Sequence, residues 1–192
     1  MGQIIIITGP MYAGKTEELL KRIKRFTYAK KKCILLKHSF DTRYNNNAIV
    51  THNKVKKKCI VVGNSNDIKN EIKPCIDDID VIGIDEVQFF DDNIVTLLED
   101  LANIGKVVIV AGLDMDYMGI PFGPMGSILA IADEIVKLKA ICSICGNDAM
   151  FSKRIIEKNG TILVGAAESY TPVCREHFNK KISNSFYSHK KE

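Results

Sequence analysis

Residues 3–22, QIIIITGPMYAGKTEELLKR, decide the architecture. Residues 3–8 form a continuous, β-branched apolar run, the pattern of a strand buried on both sides. From Thr16 to about Lys30, Leu19, Leu20, Ile23 and Phe26 recur at helical spacing, which predicts an amphipathic helix. Between them lies GPMYAGKT, Gly9 to Thr16, an instance of G-x-x-x-x-G-K-T. A strand before it and a helix after it are the context a phosphate-binding loop requires. The glycines let the backbone curl so that several N–H groups face one anion, and the helix N-terminus adds partial positive charge. Lys15 is then expected to reach the β- and γ-phosphates of a nucleotide, and the Thr16 hydroxyl to ligate Mg²⁺. Gly9, Pro10, Met11, Tyr12, Ala13, Gly14, Lys15 and Thr16 are the expected phosphate-binding set.

Further strands are predicted over residues 33–36, 60–62, 81–84, 106–111 and 134–139. Helices are predicted over 67–72, ended by Pro74, from a cap at Asp91 or Asp92 to about Ile104, and over 126–132. Residues 39–58 are polar and read as a long mobile loop. Residues 112–124 read as a loop too, because Pro121 and Pro124 exclude regular structure. Strands alternating with helices predict an α/β fold: a P-loop NTPase-like, mostly parallel sheet with helices on both faces.

The chain has 192 residues, is 46% hydrophobic and 26% charged, and carries a net charge of +4. That length suits one domain and a small appendage. The weak basic excess suits an anionic ligand, and the KVKKK run at Lys54 to Lys58 reads as a solvated loop or strand edge. No apolar run is long enough for a membrane span and no signal peptide is seen, so a reducing cytoplasm is the expected location. In that setting cysteines bind metal more often than they pair. Cys142-x-x-Cys145 and Cys174-x-x-His177 are two knuckle-like pairs, predicted to lie on either side of a hairpin turning at Asn159-Gly160. Three thiolates and an imidazole make a closed tetrahedral set, hence structural zinc. Cys33, Cys59 and Cys75 read as core packing. His38 and His52, without evident partners, read as surface residues.

A second chemical element is VIGIDEVQFF, an apolar strand ending in Asp85 and Glu86. An acid there holds the Mg²⁺ shell in P-loop enzymes. Because neighbouring side chains on a strand face opposite ways, one carboxylate can serve the metal while the other faces an acceptor hydroxyl.

Taken together, these stretches resemble the cellular-type thymidine kinase family, from about Gly2 to Phe178. The resemblance is carried by GPMYAGKTEELL, DTRY at Asp41 to Tyr44, DEVQFF, AGLDMDYMGIPFGPM at Ala111 to Met125, CSIC, and ESYTPVCREHF at Glu168 to Phe178. It implies a kinase domain over 1–140, a small zinc-ribbon or lasso domain over 141–180, and a frayed tail over 181–192. It also implies transfer of the ATP γ-phosphoryl group to the 5′-hydroxyl of thymidine or deoxyuridine. Glu86 matches the proton acceptor, Asp85 and Gln88 match positions near the Mg²⁺-phosphate group, and Arg43 matches an arginine close to the phosphates. Met11, Phe89, Leu113, Tyr117 and Phe122 match the nucleoside pocket, Ser152 stands near the thymine methyl, and Tyr170 matches the tyrosine of the covering loop. A homotetramer and feedback inhibition by thymidine triphosphate are implied as well. Three positions depart from the family pattern. Ser152 stands in place of a common threonine, Ala166 in place of a glycine, and Asn53 in place of an aspartate.

A competing reading is a P-loop ATPase that binds nucleic acid through its zinc ribbon. That reading requires a basic, aromatic-studded ribbon, whereas GAAESYTP is small and neutral to acidic. A guanine-reading N-K-x-D sequence is missing, which disfavours a GTP-dependent switch.

Overall fold

The computed structural model describes residues 1–40, 48–50, 56–155 and 169–179. The first strand, β1 (Gln3–Thr8), runs through the phosphate-loop sequence into α1 (Lys15–Tyr28). Glu17 and Glu18 in the first turn of α1 and Arg25 in its last complement the helix dipole. The helix stops two residues before the expected Lys30, because Lys30 turns left-handed (φ 60°) and its N–H bonds to the Thr27 carbonyl.

Then follow β2 (Cys33–His38), β3 (Ala48–Val50), β4 (Lys56–Lys58), β5 (Ile60–Val62) and α2 (Ser65–Ile72). Asn64 caps α2, its side chain accepting the Asp67 N–H. Pro74 does not end the helical path. It sits in the first turn of a 3₁₀ segment, Lys73–Asp78, where a missing N–H costs nothing. Next come β6 (Val81–Asp85), a short 3₁₀ turn (Val87–Phe89), α3 (Asn93–Asn103), β7 (Val107–Gly112), α4 (Met125–Ala130) and β8 (Glu134–Lys137).

Six strands form one sheet in the order β5-β2-β6-β7-β1-β8, and every pairing in it is parallel. The isoleucine run explains why both faces are covered. Ile4 and Ile6 enter a core with Ile68 and Ile72 of α2, four residues of α3, and Met125 and Ile128 of α4. Ile5 and Ile7 enter a second core with Leu19 and Ile23 of α1. Each such side chain, fully buried, contributes about 1.5–3 kcal/mol.

Within the expected loop at 39–58 the structure differs: β3 and β4 pair antiparallel, with Ile49 opposite Lys57. Ile49 is buried in the α1-side core while Lys57 and Lys58 are exposed. The lysine run is thus a solvated strand edge held down by one isoleucine.

After the sheet come β9 (Ala140–Ile141), β10 (Asp148–Ala149), β11 (Phe151–Arg154), β12 (Tyr170–Val173) and α5 (Arg175–Phe178). The antiparallel pairs β9–β10 and β11–β12 enclose a small third core. Ala13 of the phosphate loop and Met115 pack against it. The Asn159-Gly160 turn, His52, Asn53, Ala166 and the tail over 181–192 lie outside the described residues. Among those described, no helix is long and apolar enough to cross a membrane.

Candidate functional site

At the end of β1 the Thr8 hydroxyl donates to the Gly112 carbonyl at 3.0 Å, tying the loop to β7. Gly9 then approaches the neighbouring chain so closely that a Cβ would lie 2.3 Å from the Leu138 carbonyl oxygen. Tyr12 and Gly14 are both left-handed (φ 64° and 82°), and Gly14 caps α1. This alternation curls the backbone as an anion cradle requires. Lys15 spans the loop, its Nζ donating to the Pro10 carbonyl at 2.8 Å.

Asp85 ends β6 and is buried. One carboxylate oxygen accepts the Thr16 hydroxyl at 3.1 Å, and the other accepts the Glu86 N–H at 3.0 Å. The two residues expected to hold Mg²⁺, Thr16 and Asp85, therefore meet. Lys37, fully buried, stands beside Asp85 in the β2–β6 register.

Glu86 corrects one sequence argument. The strand ends at Asp85, and Glu86 adopts a left-handed conformation (φ 57°, ψ 42°) that opens the 3₁₀ turn. Its direction is set by that turn and not by strand pleating. Such a conformation costs a non-glycine residue about 1–2 kcal/mol. Gln88 fixes the carboxylate: its Nε2 donates to Glu86 at 2.6 Å, while its Oε1 accepts the Leu113 N–H at 3.1 Å. Gln88 is buried, and a Cβ on Gly112 would come within 2.7 Å of its Oε1.

The other expected pocket residues gather in three contacts. Ser152 accepts the Met11 N–H at 2.9 Å, joining β11 to the phosphate loop. Phe89 and Phe122 meet edge to face at 5.5 Å. Tyr117 and Tyr170 both lie against the Arg154 guanidinium. Arg43 lies outside the described residues.

Sequence reasoning missed two contributors. His38 is buried, contrary to the expected surface position, because it closes the C-terminal end of β2 against Phe40, Phe89 and Phe90. Its Nε2 bonds to the Gly63 carbonyl at 2.9 Å and its Nδ1 accepts the Phe40 N–H at 3.1 Å. That pairing requires the neutral Nε2–H tautomer. Burial pushes its pKa down, outweighing the opposing pull of the Gly63 carbonyl, Glu86 and Asp91. Asp114, also buried, forms an ion pair with Lys137 at 2.7 Å that anchors the loop after β7. A signal for His38 was present: it directly extends an apolar strand.

Cys142, Cys145, Cys174 and His177 bring their ligand atoms within 4.8 Å of one another. The Cys145 and Cys174 sulfurs are 3.8 Å apart, and Cys142 Sγ is 3.7 Å from His177 Nδ1. Zinc–sulfur bonds of about 2.3 Å in a tetrahedron place ligand atoms roughly 3.8 Å apart, so the donor set and its spacing fit zinc. Burial disfavours the Cys142 thiolate, yet backbone N–H groups of Cys174, Ile144 and Cys145 bring its pKa down to about 6. Cys59 is buried and Cys33 and Cys75 are half-buried, as packing residues should be.

A parallel α/β sheet with a curled Lys-Thr loop, an acidic strand end facing it, and an appended Cys₃His knuckle defines the P-loop kinase class with a metal-binding annex. Comparison narrows this: the family model described as thymidine kinase matches residues 2–178. The chain belongs to the thymidine kinase family, and that membership makes it a nucleoside kinase.

Proposed function

We propose that the chain transfers the γ-phosphoryl group of ATP to the 5′-hydroxyl of thymidine or deoxyuridine. The observation that carries this reading is Glu86, turned out of β6 by a left-handed residue and held by Gln88 beside the Asp85–Thr16 pair. The Glu86 carboxylate accepts the 5′-hydroxyl proton as that oxygen bonds to the γ-phosphorus. The bond from phosphorus to the β–γ bridging oxygen breaks, and ADP leaves. The N–H groups of residues 9–16 and Lys15 cradle the phosphates, with Arg43 assisting. Thr16 and Asp85 would hold Mg²⁺, which supplies charge neutralisation at the β- and γ-oxygens.

Met11, Phe89, Leu113, Tyr117, Phe122, Ser152 and Tyr170 form the nucleoside pocket in this reading. The Ser152 hydroxyl is engaged with the phosphate loop, so it offers less bulk to the thymine methyl than threonine would. Loss of one methyl is worth about 1 kcal/mol and favours acceptance of deoxyuridine. A kinase domain over 1–140 and a zinc domain over 141–180, a cytoplasmic homotetramer, and inhibition by thymidine triphosphate complete the proposal. Family membership favours it over a nucleic-acid-dependent ATPase. The test is radiolabel transfer from ATP to a panel of nucleosides. Labelled thymidine and deoxyuridine monophosphates are expected, and thymidine left unlabelled at every concentration overturns the proposal.

A further inference from the structure

We infer that Arg154 is a positioning residue of the nucleoside pocket, clamping Tyr117 and Tyr170 into one wall. The inference rests on the pocket assignment proposed above.

Ser152 and Arg154 are two positions apart on β11, so they share a face. Ser152 touches Met11, which directs that face toward the phosphate loop. Arg154 also stands opposite Tyr170 in the β11–β12 register. Its guanidinium carbon lies 3.9 Å from the centroid of the Tyr117 ring and 5.5 Å from that of Tyr170. In the same arrangement Nη2 donates to the Tyr170 hydroxyl at 3.0 Å. Tyr117 comes from the loop between β7 and α4, which also carries Leu113 and Phe122. One cation thus joins that loop to both strands of the β11–β12 hairpin pair.

The chemistry requires arginine. A planar guanidinium can lie over one ring and donate in its own plane to the hydroxyl of the other, whereas an ammonium has no such plane. All three residues are half-buried, so part of the contact is shielded from water. Arg154 contacts neither the phosphate loop nor Glu86 in any bond described above. Its loss should therefore loosen nucleoside binding and spare the transfer step.

The test is steady-state kinetics of the full-length zinc-bound protein, with thymidine and ATP varied separately. Arg154→Met, which keeps the stem length, should raise the thymidine KM about tenfold. Its kcat and its ATP KM should stay within about twofold of the wild type by the same argument. Arg154→Lys should fall between the two. Tyr170→Phe should raise the thymidine KM alone but add nothing in the Arg154→Met background. Zinc content and Tm establish that each variant is folded. Should Arg154→Met fail to fold, Arg154→Lys and Tyr170→Phe decide the matter, and wild-type thymidine KM values in both overturn the inference. A drop in kcat at unchanged thymidine KM overturns it too. An active wild type with unaltered variants removes only the role of Arg154, while a wild type inactive on every nucleoside removes the pocket reading with it.

Discussion

The parallel sheet and the Cys₃His segment are held together by different physics. Among the described residues, the sheet's two cores contain nineteen and ten buried apolar side chains, mostly branched aliphatics contributed by both strands and helices. The core beside the metal ligands has six, and two of those are the ligands Cys142 and Cys174. Apolar burial alone can stabilise the first. The second is too small for that and needs a cross-link or a metal. Yet the two are not independent, because Ala13 packs into the smaller core and Gly119 lies against Phe178, one residue after a ligand. The pocket is proposed to lie where the two kinds of stability meet.

The sharpest way to break this contrast is to remove the metal. Structural zinc contributes on the order of 10 kcal/mol in small metal-dependent folds. Cys145→Ser, or chelation, should abolish zinc content and thymidine turnover while far-UV circular dichroism of the sheet and its helices largely persists. A concerted loss of all helical signal would show that the sheet depends on the metal after all.

Glu86→Gln probes the sheet side alone. It keeps size and the partner Gln88, so kcat should fall by about 10²–10⁴ with zinc and ATP affinity intact. Near-normal turnover would remove Glu86 from the proton-accepting role. Gly112→Ala should be milder. The new Cβ would press on Gln88 Oε1 and on Val87 at 2.8 Å, costing about 1–3 kcal/mol by overpacking. Differential scanning calorimetry should show a lowered Tm with zinc retained, and an unchanged Tm would mean the Gln88 network yields freely.

The smallest expected effect is in pH. The folded-state pKa of His38 lies below its ordinary value of 6.5. The unfolded chain therefore binds the extra proton first, and stability drops as pH falls from about 6.5 toward the folded value. His38→Asn should flatten the Tm profile in that window, and parallel profiles would exclude His38 as the cause.

The parts of this architecture that depend on local pattern could be read directly. The isoleucine run, the glycine spacing and the paired knuckles each encode their structure within a few neighbouring residues. What escaped depends on partners far along the chain. His38 is recognisable as a core residue only once Gly63 and Phe90 are beside it. The β3–β4 pairing rests on Ile49 reaching the α1-side core, which a polar composition conceals. Arg154 could have been picked out by its two-residue offset from Ser152, but its tyrosine partners lie 37 and 16 positions away. The handedness of Glu86 had no signal, since glutamate is a poor candidate for that backbone region.

That handedness sets a trap for anyone breeding sturdier variants. Glycine or asparagine at position 86 would relieve the turn, and a library ranked by survival after heating would enrich both. Each such winner would have surrendered the carboxylate, so codon 86 should be frozen in any heat-selection campaign on this scaffold.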